Sequence, residues 1–156
     1  MDAVRFGIYN ILCDVDATRL AYERTPLGGA EMCGCLACRN FVTAGERAYP
    51  SDVLALFQQL GIDYRRPAHV YTWGRVEDGR YHYEGWFHFV GQVDQHIDAW
   101  EQVSDYFYLW FHGRPALISE AFKWQPLGVL EFVNKAVPWV LNTPLPSPDW
   151  PFETSQ

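Results

Sequence analysis

The sequence predicts an α+β fold: an antiparallel sheet of about five to six strands, with two helices between its N-terminal and central strands. Apolar residues recur every three to four positions between residues 37 and 60, and every second position from His69 onward. The resulting order of strand, helix, helix and then several strands is typical of the α+β class. A sandwich-like packing of the strands is the alternative.

The N-terminal part is predicted to contain two strands. Residues 4–13 are rich in Val, Ile, Leu, Phe and Tyr, which are the residues that strands favour. Asp14-Val15-Asp16 is typical of a turn. Residues 18–22 are therefore expected to return as the second strand.

Two helices are predicted next. Apolar positions within residues 37–44 have helical spacing, and Gly45 is expected to end that element. The second helix has Ser51 as a natural N-cap. It ends at Gly61, because glycine readily adopts the left-handed conformation that follows many helices.

The central strands are predicted from their alternation. Residues 70–76 and 81–93 are joined by Asp78-Gly79, a strong signal for a two-residue hairpin turn. Residues 106–111 and 129–140 are expected to form further strands. Four prolines after Asn142 predict an extended tail, so we expect one domain over residues 1–141 and a Pro-rich tail over 142–156.

Composition narrows the function classes. The chain has 156 residues, of which 49% are hydrophobic and 20% charged, and this excludes a disordered protein. It contains no apolar run long enough for a transmembrane helix, and its net charge of −7 argues against a nucleic-acid partner. The first residues lack the cationic and apolar pattern of a signal peptide, so we expect a cytoplasmic protein. Its expected partner is a small molecule or another protein. A homodimer is compatible with this composition.

Three cysteines form the first candidate site. Cys33, Cys35 and Cys38 lie within six residues, and Gly34 gives the backbone room to curl between the first two. Thiolates in this spacing predict a zinc site, because zinc takes about four ligands and favours sulfur. The fourth ligand is expected to be Cys13 or a histidine.

Two other interpretations of the cysteines remain open. If Cys35 lies at a helix N-terminus, the Cys35/Cys38 pair suits a thiol oxidoreductase, because the helix dipole lowers the pKa of such a thiol. The cysteines also suit a purely structural role, since free cysteine is among the most buried residue types.

The second candidate site is one face of the predicted hairpin. With Asp78-Gly79 as the turn, alternate residues share a face and face each other across the two strands. The facing pairs are His69 with His88, Tyr71 with Trp86, Trp73 with Glu84, and Arg75 with His82. In this register His69 and His88 are close enough to share a metal ion or a proton.

This face mixes aromatic rings with titratable groups, whereas the opposite face is nearly all apolar and makes a sufficient core. Burying the mixed face would require a partner for every polar group. We therefore expect it to line a cleft or contact surface; a fully covered second core layer is the alternative. The predicted ligand-binding residues are Tyr71, Trp73, Glu84, Trp86, His88 and His69.

The cysteine run resembles a motif of a known family. Cys33-x-Cys35-x-x-Cys38-Arg39-Asn40-Phe41 is similar to the pattern Cys-x-Cys-x-x-Cys-Lys/Arg-Asn-aromatic of a family of small uncharacterised bacterial proteins. The segments 78–91 and 130–141, the latter with its Pro-Trp-Val-Leu run, fit the same family. The resemblance implies that residues 33–141 form one unit, and it supplies no activity.

The expected function is that of a binding or interaction module with a zinc-binding turn and an aromatic, histidine-bearing ligand face. The alternatives are a thiol oxidoreductase at Cys35 and Cys38, and a metal-dependent hydrolase at the histidine face. A regulatory partner resembling an immunity protein is a third class, favoured by the acidic charge.

Overall fold

The computed structural model describes residues 1–77, 79–94 and 97–143, and the predicted tail from residue 144 onward lies outside them. The described residues form one seven-stranded antiparallel sheet and four α-helices, which confirms the α+β prediction. The sheet has more strands than the five to six expected. Two further helices, both N-terminal to the predicted pair, were not expected.

The strands follow one another in the order β1-β2-β4-β7-β6-β5 across the sheet, and β3 pairs with β4. Their bounds are β1 Asp2–Phe6, β2 Tyr9–Cys13, β3 His69–Glu77, β4 Arg80–Val93, β5 Glu101–Gln102, β6 Phe107–His112 and β7 Leu127–Pro138. The longest strand, β4, therefore occupies the centre of the sheet.

All four helices lie between β2 and β3. Their bounds are α1 Val15–Glu23, α2 Gly29–Cys33, α3 Leu36–Ala44 and α4 Ser51–Leu60. Gly45 and Gly61 end α3 and α4 as predicted, and Gly61 has the left-handed conformation. Pro50, rather than Ser51, occupies the N-cap position of α4.

The N-terminal prediction is wrong in two respects. The predicted strand over residues 4–13 is a hairpin, because Gly7 adopts a positive φ of 53° and turns the chain between Phe6 and Tyr9. The predicted return strand is the helix α1. Asp14 does not begin a turn but caps this helix, since its carboxylate accepts a hydrogen bond of 3.0 Å from the backbone N–H of Ala17.

The predicted hairpin register holds only at the tip. Glu77 pairs with Arg80 as expected, while Asp78 itself lies outside the described residues. Two register shifts, at Val76 and at Trp73, then each put one extra residue into β3.

The two shifts together move the pairing by two positions. His69 therefore faces Trp86 rather than His88, and Tyr71 faces Glu84 rather than Trp86. Residues 69–72, which lie beyond both shifts, therefore keep their predicted face, whereas between the shifts Arg75 faces Tyr81 rather than His82. The prediction that His69 and His88 are cross-strand neighbours is wrong.

One face of the sheet forms an aromatic core under the helices. Phe132 is completely buried and its ring stacks on those of Phe107 and Phe41 at 6.1 and 6.0 Å. Tyr49, which directly follows the short 3-10 helix Gly45–Ala48 after α3, packs edge-on against Phe132 and also against Phe57 of α4. The rings thus join the sheet to three successive helical segments.

One edge of β4 is divided between two strands. β3 pairs with residues 80–86 of this edge and β2 with residues 91–93, while β7 takes the other edge. Helix α1 fills the interval: the Tyr22 hydroxyl donates to the carbonyl oxygen of His88 at 2.6 Å, and Thr18 Oγ1 accepts from the Val90 N–H at 2.9 Å. Side chains of α1 thus make the backbone hydrogen bonds that a neighbouring strand would otherwise make with β4, and a cleft opens beside them.

None of the helices in the described part of the chain has the length and apolar character needed to cross a membrane.

A pair of aromatic substitutions tests the assignment of one face of the sheet to the buried core and of the other to the surface. We expect Phe132→Ala to lower the free energy of unfolding by about 3–5 kcal/mol, as the loss of a core ring does. Trp73→Ala should cost about 1 kcal/mol or less, because Trp73 is 52% exposed. Urea denaturation of both variants measures this, and equal losses would contradict the assignment of the two faces.

Candidate functional site

The three cysteines lie at the junction of two helices. Helix α2 ends at Cys33, and Gly34 follows it in the left-handed conformation with a φ of 68°. Cys35 is then the N-cap of α3, and its Sγ accepts a hydrogen bond of 3.4 Å from the N–H of Cys38. The tight turn at Gly34 is what brings Cys33 back towards the first turn of α3.

The three sulfur atoms converge as predicted. Cys33, Cys35 and Cys38 place their Sγ atoms within 4.8 Å of one another. Three thiolates around one tetrahedral zinc ion would be about 3.8 Å apart, given Zn–S bonds of about 2.3 Å. A contraction of about 1 Å therefore suffices, and the cluster is able to hold a metal ion.

The three thiols have different environments. Cys33 and Cys35 are exposed, whereas Cys38 is buried. A hydrogen bond from the backbone of Cys35 lowers the pKa of Cys33, while burial raises the pKa of Cys38. Cys33 therefore loses its proton more readily than Cys38.

Helix α3 is fixed to the sheet by a buried amide. Asn40 is completely buried; its Oδ1 accepts from the Val140 N–H at 2.7 Å and its Nδ2 donates to the Pro138 carbonyl at 3.1 Å. The Tyr83 hydroxyl on β4 donates to the carbonyl oxygen of Ala37 at 2.7 Å. These bonds hold Cys38, which lies between Ala37 and Asn40, in a fixed position.

Cys13 is not the fourth ligand of this cluster. It is buried at the end of β2, where its thiol donates to the carbonyl oxygen of Leu60 at 3.3 Å. Within residues 1–77, 79–94 and 97–143, no histidine or carboxylate joins the three cysteines either. Neither Cys13 nor a histidine of the described ranges therefore lies where a fourth ligand was expected.

The predicted aromatic face is partly open. Tyr71 and Trp73 are exposed, and their rings meet edge-on at 5.9 Å. The Tyr71 hydroxyl donates to Glu84 at 3.1 Å, and His69 packs against Trp86 at 5.0 Å. Five of the six predicted ligand residues thus form one contiguous patch on β3 and β4.

His88 differs from the rest of that face. It is only 1% exposed, and the segment after β6 covers it, with Phe122 at 6.0 Å between ring centroids. The Nε1 of the neighbouring Trp86 donates to the carbonyl oxygen of Ala116 at 3.0 Å, which holds the same segment over the strand. His88 is therefore separated from the exposed rings.

His88 and Cys33 instead line a common cleft of about 550 Å³. Its walls come from the end of α1, from α2, from the residues before β3 and from the segment that covers His88. The lining is largely apolar, through Leu27, Met32, Leu117, Ile118 and Phe122. His69 also lies on the wall, so the cleft connects the predicted aromatic patch with the cysteine cluster.

Two residues of this region were not identified from the sequence. Arg66 lines the cleft, and its Nη1 donates to Asp63 at 2.6 Å. The i, i+3 spacing of these two charges was visible in the sequence, but nothing in it pointed to a cleft. Tyr22 was assigned to a strand, and its hydroxyl instead supports the cleft from α1.

No family model, no curated protein and no solved structure matches this chain. Its own geometry therefore carries the functional argument.

The environment of His88 predicts an acid-sensitive fold. Burial lowers the pKa of His88 from its ordinary value of 6.5 to about 4, against the effect of a hydrogen bond to the backbone of Ala116. The contribution of neutral His88 to the free energy of unfolding is therefore complete above pH 6.5 and is lost as the pH falls towards 4. The reason is that the imidazole takes up a proton at a higher pH in the unfolded chain than in the folded one.

We expect the wild-type protein to lose on the order of 2–3 kcal/mol more unfolding free energy between pH 7 and pH 4.5 than His88→Phe, since each pKa unit corresponds to about 1.36 kcal/mol. Urea denaturation of both proteins at the two pH values measures this difference. An equal loss in both proteins would show that His88 is not held neutral by burial.

Proposed function

We propose that the protein binds one zinc ion through Cys33, Cys35 and Cys38 and holds a small-molecule ligand in the adjoining cleft. The convergence of three sulfur atoms within 4.8 Å is the observation that carries the proposal. Thiolates are soft ligands, which favour zinc over the hard cations calcium and magnesium. Two of the sulfurs are exposed, so an ion can reach them without opening the core.

The number of cysteines in the cluster favours a zinc site that also binds a small molecule over a purely structural zinc site. Structural zinc sites have four protein ligands, whereas sites that act on a ligand keep one position open. The part of the chain that the structure describes supplies three. Because Cys33 is both a member of the cluster and part of the cleft wall, a molecule in the cleft is beside the metal.

Metal analysis of cysteine variants tests the proposal. Wild-type protein purified without a tag or chelator should contain about one zinc per chain. Cys35→Ser and Cys38→Ser should lose stoichiometric zinc, because each removes one thiolate. Cys13→Ser is the matched control: it removes a buried cysteine outside the cluster and should leave the zinc content unchanged. Elemental analysis by mass spectrometry gives the ratios.

Unchanged zinc content in Cys35→Ser and Cys38→Ser would contradict the proposal. A different metal at full occupancy would contradict the assignment to zinc while keeping the cluster as a metal site. Loss of zinc from Cys13→Ser, with the fold intact by circular dichroism, would show that Cys13 binds the zinc, in contradiction to its position outside the cluster.

A thiol–disulfide reductase is the second candidate. One observation favours it: Cys35 is an exposed N-cap of α3, and the buried Cys38 follows in the first turn. In this reaction the Cys35 thiolate attacks a substrate disulfide and releases one thiolate. Cys38 loses its proton and displaces the second, so that the protein dithiol becomes a disulfide and the substrate is reduced.

Glutathione disulfide distinguishes the two candidates. A reductase, freed of metal, forms the Cys35–Cys38 disulfide, and Cys38→Ser accumulates a mixed disulfide with glutathione that intact-mass spectrometry detects. If zinc binding is the function, the zinc-loaded protein remains unmodified under the same conditions, because the thiolates are coordinated. Rapid oxidation of the zinc-loaded protein would favour the reductase.

The hydrolase alternative receives no such support. His69 and His88 are not cross-strand neighbours, and no group of three or more ligand residues in the described ranges contains a histidine.

A further inference from the structure

The sheet face opposite the aromatic core has two exposed rings beside a carboxylate. Tyr71 and Trp73 are 36% and 52% exposed, and their rings meet at 75° with centroids 5.9 Å apart. Glu84 lies directly across from Tyr71 in the pairing of β3 with β4, and its side chain is 22% exposed. None of these three residues lines the cleft beside the cysteines. We call this separate surface the Tyr71–Trp73 corner.

Glu84 brings a negative charge to this corner. Its Oε1 accepts a hydrogen bond of 3.1 Å from the Tyr71 hydroxyl, and its Oε2 lies 2.9 Å from Nε2 of His82. Burial lowers the pKa of His82 below its usual 6.5 in spite of this carboxylate, so the imidazole is neutral at pH 7. No Arg or Lys of the described ranges forms an ion pair with Glu84. The two rings therefore lie beside a carboxylate that keeps its charge.

Another ring on the same face already holds one of the protein's own cations. Tyr108 of β6 shares the face of Glu84, because both pair with the same residue of β7. The Nζ of Lys135 lies 5.5 Å from the centroid of the Tyr108 ring, within the range of a cation–π contact. Over Tyr71 and Trp73, by contrast, no Arg or Lys of the described ranges is placed. These two rings are thus able to bind a cation from outside the chain.

We propose that the Tyr71–Trp73 corner binds the trimethylammonium group of a small molecule, with the cation against the two rings and beside Glu84. Rings that meet at an angle offer a quaternary ammonium two aromatic faces. Such a cation has no N–H group, which suits a carboxylate whose two oxygens already contact protein groups. A small molecule fills a site of this size, whereas a protein partner needs a contact of about 800 Å² on each side. Binding here requires neither the zinc ion nor the cleft.

Choline and 3,3-dimethyl-1-butanol are matched probes, because they have the same shape and differ only in the exchange of the charged nitrogen for carbon. The corner has two exposed rings, each of which favours the cation modestly, so choline should bind roughly 5- to 30-fold more tightly than the alcohol. Titration of the ¹⁵N-labelled full chain at constant ionic strength measures both affinities. The shifts of the backbone N–H of Tyr71 and of the indole N–H of Trp73 report the binding.

Three variants locate the contact. Trp73→Leu keeps an apolar side chain but removes a ring, and it should lose most of the preference for choline. Glu84→Gln keeps the shape of the side chain but removes its charge, so it should weaken the binding of choline roughly 2- to 5-fold and leave that of the alcohol unchanged. Trp124→Leu is the matched control, because Trp124 is 97% exposed and lies outside the corner, and it should keep the wild-type preference.

Equal affinities for the two probes would overturn the inference, as would a full preference in Trp73→Leu, its loss in Trp124→Leu, or absence of binding by choline. Tighter binding of a pentapeptide with one trimethyllysine between alanines than of choline would overturn the assignment to a small molecule. Cys35→Ser, which tests the zinc proposal, should keep the wild-type preference for choline. Either proposal is therefore able to fail without the other.

Discussion

The buried amide of Asn40 is the interaction on which the candidate site depends. Its side chain hydrogen-bonds the carbonyl oxygen of Pro138, the last residue of β7, and the N–H of Val140. The ring of the next residue, Phe41, lies 5.1 Å from that of Tyr83 in the core. Helix α3 is thus attached by a polar and an apolar contact within three residues of Cys38. Without this attachment a helix of nine residues would be marginally stable, and three cysteines at its start would have no fixed geometry. Asn40 and Phe41 of the motif Cys38-Arg39-Asn40-Phe41 therefore have a structural role, which is to fix α3 to the sheet.

Strand β4 determines where the cleft lies. Its alternating side chains place Tyr83 and Phe87 in the aromatic core and place Glu84 and Trp86 on the opposite face. Because β3 and β2 share one edge of this strand and do not meet, helix α1 satisfies the backbone between them with side chains. The cleft lies where α1, α2 and the segment that covers His88 meet beside this interval. The site therefore results from an interrupted edge rather than from an inserted domain.

Local signals in the sequence were sufficient for part of this structure. Gly45 and Gly61 marked the ends of two helices, Asp78-Gly79 marked the hairpin tip, and the close spacing of the cysteines predicted their convergence. The N-terminal error missed local signals, because Gly7 turns the first hairpin and Asp14 caps α1. The error in register has no such signal: the bulges at Trp73 and Val76 are marked locally only by Gly74, whose φ is 100°. The burial of His88 depends on the segment that covers it, and no pattern in the sequence contains that information.

X-ray absorption at the zinc edge, on protein isolated with its native metal, tests the central claim most directly. The account predicts three sulfur ligands at about 2.3 Å and one nitrogen or oxygen ligand at about 2.0 Å, because three cysteines converge and the fourth position is left to a non-protein ligand. A shell of four sulfurs, which would bring Cys13 out of its place beside Leu60, or the absence of any zinc bound to sulfur, would contradict it.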